Sequence, residues 1–202
     1  MNVEILRQTQ KGRNLEYLTI GWNSLEAVAA IAAGLFAGSV ALIGFGFDSI
    51  IEVSSGAIIL WRLASGEHRE KLALKLVGIS LIALAAYVGF DAIKSLVLKK
   101  SPEISYIGIA IAALSLVVMP LLARAKRNVA AQLNSRAMMA DSKQTDICAY
   151  LSAILLGGLL LNALFGFWWA DPLAALIMIP IIIKEGTEAL RGETCCAQSS
   201  CH

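Results

Sequence analysis

The segment GFGFDSIIEVSSG, residues 44–56, carries two carboxylates, Asp48 and Glu52, inside a run otherwise fit for lipid. Positions i and i+4 of an α-helix share one face, so the two side chains stack with the same lean. Each carboxylate near the middle of a bilayer costs about 3 kcal/mol on insertion scales. Two anions so close also repel each other unless a cation lies between them or one is protonated. No basic residue falls in the middle of any apolar stretch delineated below; Lys75 and Lys94 lie near ends, where they can snorkel toward water. A divalent cation, exchanged for protons, answers both difficulties. The competing reading is neutralisation by Lys or Arg from a neighbouring helix, or a solvent-filled vestibule that binds nothing.

A second segment, MMADSKQTDICAYLSAILLGG, sets Asp141, Gln144 and Cys148 at i, i+3 and i+7, one stripe of a helix. Oxygen and thiolate ligands on that stripe can face the same ion as Asp48 and Glu52. Asp146 falls on roughly the opposite face from Gln144, which makes it a weaker candidate for the same site, with solvation at the membrane edge the equal alternative. A thiolate at Cys148 favours soft or borderline ions such as Zn²⁺ or Cd²⁺ over Mg²⁺ or Ca²⁺, because hard ions prefer oxygen. The plainer reading of Cys148 is a small residue buried for packing. Glu26, with Asn23 one turn before it, is a further intramembrane acid suited to assisting proton movement.

The elements that must position these groups follow from hydropathy. The chain is 57% hydrophobic and 16% charged, with a mean hydropathy of +0.70, which marks an integral membrane protein. A transmembrane helix needs about 20 mostly apolar residues, and six such stretches run roughly over 17–38, 41–63, 73–98, 104–123, 138–166 and 170–190. The expectation is an all-α membrane protein with one six-helix domain, residues 1–192, and a short tail, 193–202. Glu4, Arg7, Lys11 and Arg13 interrupt any apolar core at the start, so the first helix is expected to be retained rather than cleaved as a signal peptide. Fourteen of the 17 Lys and Arg fall on one side of the six stretches, which predicts that both termini face the cytoplasm. Cys195, Cys196 and Cys201 then lie on the reducing side, where free thiols are expected. With His202 they form a soft-ligand cluster whose spacing is not that of a structural zinc site. The choices for this tail are loose metal capture, a disordered end or palmitoylation. Neither a nucleotide loop nor a nucleophile–base cluster is present, so an enzyme is not expected.

These residues resemble the cation diffusion facilitators, six-helix exporters of zinc and related divalent ions, over nearly the whole chain. AGLFAGSVALIGFGFDSIIEVSSG is similar to that family's passage from first to second helix, with Asp48 and Glu52 on its two ligand positions. RAMMADSKQTDIC resembles its start of helix five, where an Ala-Asp pair leads to His-x-x-x-Asp; Gln144 and Cys148 fall on the His and Asp positions. WWADPLAALIMIPIIIKEGTEALRG resembles its sixth helix, entered through an Ala-Asp-Pro-like turn. The chain departs from the pattern in Glu at 52 and in both helix-five ligands. The cytoplasmic metal-binding domain that usually follows helix six is expected to be missing, giving a short form.

The resemblance implies a proton-coupled antiporter that exports a divalent transition-metal cation, zinc first among them, across the cytoplasmic (in a bacterium, inner) membrane. The expected metal ligands are Asp48, Glu52, Asp141, Gln144 and Cys148, with the ion as cargo and no resident cofactor. The expected partners are metal ions, protons and lipid, with a homodimer admitted and nucleic acid excluded. The alternative is a membrane metal sensor or accessory subunit that binds the ion without moving it.

Overall fold

The computed structural model describes residues 3–65, 70–99, 102–133 and 135–191. They form six α-helices, and among the described residues there is no strand: α1 Val3–Ala37, α2 Val40–Ser65, α3 Glu70–Val97, α4 Tyr106–Leu133, α5 Arg136–Phe165 and α6 Ala170–Arg191. Segments of α1, α2, α4 and α5 are long and apolar enough to cross a membrane: Leu6–Ala37, Val40–Ala57, Tyr106–Leu133 and Asp141–Phe165. The expected tail and its cysteines lie outside the described residues.

Polarity along α1 runs inside out. Glu16, Thr19, Asn23 and Glu26 are buried, whereas Leu18, Leu25, Val28 and Phe36 of the same helix are exposed. An exposed apolar surface of this kind is a liability in water and an ordinary lipid contact in a bilayer. The inward polar stripe is where intramembrane charges belong. The chain is therefore an all-α membrane protein.

Helices α1 and α2 pack along their length, as do α4 with α5 and α3 with α6. The tight contact of α1 with α2 depends on Gly46, where a Cβ would stand 3.0 Å from the backbone nitrogen of Ile31. Between the two helices Gly38 adopts φ +66°, a left-handed conformation that glycine enters without strain.

Contacts between helix ends gather at one pole of the bundle. There the Ser39 hydroxyl donates to Asp171, and the Val40 amide donates to the same carboxylate at 3.0 Å. Beside them, Glu103 N–H donates to the Ala37 carbonyl at 2.8 Å, and Asn162 donates to the Pro102 carbonyl at 3.0 Å. This pole therefore collects the end of α1, the starts of α2, α4 and α6, and the end of α5. Ser39 also accepts from the Leu42 amide at 3.1 Å, so α2 is capped by its own serine and by a carboxylate from α6. The Ala-Asp-Pro turn thus closes a helix end in this fold.

Two expectations from hydropathy need correction. Helix α1 begins at Val3 rather than near residue 17, and α4 continues to Leu133 rather than ending near 123. The segment ARAKRNVAAQL reads as a charged connection, yet Leu122, Ala123, Lys126, Val129 and Ala130 are buried at helical spacing. The apolar stripe continues under the charges and keeps the helix packed. Lys126, just beyond the 104–123 apolar stretch, is completely buried, so a basic residue enters the bundle from outside the stretches that hydropathy delineates.

Candidate metal centre

Asp48 and Glu52 project from α2 into the bundle and are buried, with 4% and 1% exposure. Cys148 of α5 is buried as a free thiol. Its thiol is within electrostatic reach of both carboxylates. Helices α2 and α5 meet directly, so Asp48 and Glu52 of one and Cys148 of the other are buried in the same bundle interior.

Glu52 is the unusual member. Neither of its carboxylate oxygens has a hydrogen-bond partner of good geometry, although a buried polar group is ordinarily satisfied. Thr145 of α5 faces it, but the threonine hydroxyl donates to the Asp141 carbonyl at 3.2 Å. Glu52 is therefore a buried acceptor whose lone pairs are free to take a proton or a metal ion.

Asp141 is also buried, but its carboxylate is engaged. Lys126 of α4 donates to one oxygen, and the Ser55 hydroxyl of α2 donates to the other at 3.2 Å. The same ammonium stands 3.2 Å from Glu16 of α1. Three charged side chains from three helices thus form a completely buried ion triad beside the α2 stripe. The neutralising lysine that the competing sequence reading requires is present, and it serves Asp141 and Glu16 directly. Glu52 lies only within its electrostatic reach. Gln144 is half-buried, and the fully buried residue next to it is Thr145. Asp146 takes the solvated role expected of it, paired at the surface with Arg127.

Above the pair on α2 lies a further acid. Glu26 is fully buried, accepting from Ser49 at 3.2 Å and from Ser115 of α4. The Trp22 indole N–H in turn donates to the Ser115 oxygen at 3.3 Å. The neighbouring Asn23 is completely buried, and its amide has no partner on either atom. From α6, Glu185 is within electrostatic reach of Asp48 and Glu52. Together these groups make a polar column down the bundle interior, from Glu26 through Asp48, Cys148 and Glu52 to Asp141, Lys126 and Glu16.

Among the described residues no three His, Cys, Asp or Glu side chains stand at metal-holding geometry. Asp141 is held by Lys126 and Ser55.

Sequence reasoning missed Lys126, Glu16, Ser55, Thr145 and Glu185. A signal for Glu16 was available: Glu16, Thr19, Asn23 and Glu26 follow the 3-4-3 spacing of one helix face. Lys126 sits likewise on the stripe with Leu122, Val129 and Ala130. The charge around both residues reads as solvated chain rather than as a buried stripe.

Comparison with known proteins bears on this arrangement. Residues 17–193 match the cation efflux transmembrane domain. The chain is 30% identical over 179 residues to a protein named as an uncharacterized transporter of Methanocaldococcus jannaschii, covering 83% of this chain and 63% of the relative. It is 25% identical over 182 residues to transmembrane protein 163 of Xenopus laevis, covering 87% of this chain and 65% of that one. A protein named as an uncharacterized transporter of Synechocystis is 25% identical over 189 residues, with 87% and 61% covered. The chain thus spans somewhat under two thirds of the length of these relatives. The match runs through the α2 acids, the α5 stripe and the Ala-Asp-Pro turn alike, and the chain belongs to the cation efflux transmembrane domain family.

Proposed function

We propose that this chain carries a divalent transition-metal cation out of the cytoplasm in exchange for protons, crossing the membrane six times with both termini inside. Zn²⁺ is the cargo its donors fit best. The observation that carries the reading is Glu52, a buried carboxylate with no hydrogen-bond partner, held beside Asp48 and the Cys148 thiol. Membership of a cation efflux family and relatives named as transporters support the same direction.

The chemistry is ligand exchange. Asp48 and Glu52 offer hard oxygen donors and Cys148 a soft sulfur, a mixed set suited to a borderline ion. Coordinating thiol and carboxyl groups must be deprotonated, so metal entry expels protons and proton return expels the metal. Proton return from the far side would release the ion there and reset the site. Helix movement exposes the column to one side at a time. The bulk driving force is then the proton gradient.

Metal uptake into everted vesicles with an imposed proton gradient, run across Zn²⁺, Cd²⁺, Co²⁺, Fe²⁺ and Mn²⁺, tests the reading. The expected result is gradient-dependent accumulation, strongest for Zn²⁺ or Cd²⁺. A protein that binds these ions without accumulating any of them is instead a sensor or accessory subunit.

A further inference from the structure

The triad of Glu16, Lys126 and Asp141 contains more negative charge than its ammonium needs. Lys126 donates to Asp141 and lies 3.2 Å from Glu16, with every member buried. A lock that merely joined α4 to α5 would require one carboxylate; a second allows one to leave without stranding a buried ammonium, which is costly when unpaired. Asp141 is the member placed to leave. Its other oxygen is held by Ser55, which sits on α2 three residues beyond Glu52 and hence on the same helix face. Along α5 it shares a stripe with Cys148. Glu16, by contrast, packs toward Gly56, where a Cβ would meet its carboxylate at 3.3 Å.

We propose that Lys126 is a tethered competitor of the cargo. With no ion bound, its ammonium holds Asp141 out of the metal shell. When a divalent cation reaches Asp48 and Glu52, Asp141 exchanges Lys126 for the ion, and Glu16 keeps Lys126 neutralised. Release reverses the exchange, so the ammonium reclaims Asp141 and weakens the hold on the departing metal. Lys126 is thus a positioning residue that acts through Asp141 and sets how tightly cargo is held. This inference rests on the transport reading above.

The test is equilibrium Zn²⁺ binding to the full-length protein in detergent or nanodiscs, together with the KM and kcat of Zn²⁺ flux. Lys126→Gln should tighten Zn²⁺ binding about tenfold, lowering KM while slowing turnover. Lys126→Arg should stay near the native values. Should Lys126→Gln fail to fold, Glu16→Gln/Lys126→Gln removes one charge of each sign and should bind Zn²⁺ tighter than native as well. Adding Asp141→Asn to either variant should abolish the gain, which a purely structural role for the lysine does not predict. Unchanged or weaker Zn²⁺ binding in a folded lysine variant overturns the proposal while leaving the transport reading intact. If the native protein itself neither binds nor moves Zn²⁺, the transport reading fails, and this inference with it.

Discussion

Asp171 and Glu52 are both carboxylates buried in the same bundle to 1% exposure, and their surroundings differ completely. Asp171 accepts from the Ser39 hydroxyl and from the Val40 amide, closing the first turn of α2. Glu52 accepts from no group of good geometry. A carboxylate whose lone pairs are occupied by fixed donors stabilises structure, and removing it leaves helix-terminal amides bare. One whose lone pairs meet no donor has no hydrogen bond to offset its burial. Equal burial therefore conceals unequal surroundings, and the proposal above gives the two acids different roles.

The largest expected effect breaks the comparison on its bare side. Asp48→Asn should reduce Zn²⁺ flux at least about 100-fold, since loss of one anionic ligand easily exceeds 2.7 kcal/mol, while membrane insertion and thermal unfolding stay near native. Flux per inserted molecule is the measurement, and a native rate would remove Asp48 from the site.

On the satisfied side, Asp171→Asn retains one acceptor and should cost about 1–2 kcal/mol of stability through the weakened cap, read as a lower unfolding midpoint in detergent. The molecules that fold should carry metal at the native rate. If stability is unaffected and transport is lost, Asp171 has been misassigned.

Cys148 sharpens the comparison by testing ion choice. Cys148→Ser should weaken Cd²⁺ transport several-fold more than Zn²⁺, because the softer ion loses more when sulfur becomes oxygen. Bound metal should also protect Cys148 from alkylation. Equal effects on every ion, with alkylation indifferent to metal, would return Cys148 to packing. The smallest effect belongs to the surface pair Arg127 and Asp146: Arg127→Ala should change stability by less than about 1 kcal/mol and leave flux unaltered.

Much of this was legible in the chain. The six helices follow from apolar length, and the α2 acids and Cys148 follow from spacing, because one helix face is fixed by residue number alone. What hydropathy hides is a charged residue on a buried stripe. Lys126 lies between Arg124 and Arg127, and its neighbours in sequence argue for water, although its neighbours in space are Asp141 and Glu16. Pairing between helices remote in sequence leaves no local signal, so the state of Asp141 was not readable from α5. The same holds for Thr145, whose inward turn toward Glu52 depends on how α5 is rotated against α2. Glu185 carries no sequence signal because it stands near the end of α6, next to Lys184, where a solvated ion pair is the ordinary expectation; in the structure Lys184 lies near Glu188 instead.

The most direct test of the account is Zn²⁺ flux per inserted molecule in proteoliposomes under an imposed proton gradient, compared between Glu52→Gln and Asp171→Asn. The account predicts background flux for Glu52→Gln and a native rate for Asp171→Asn. Native flux through Glu52→Gln would contradict it, since an uncharged amide at the bare position would then serve as well as the carboxylate.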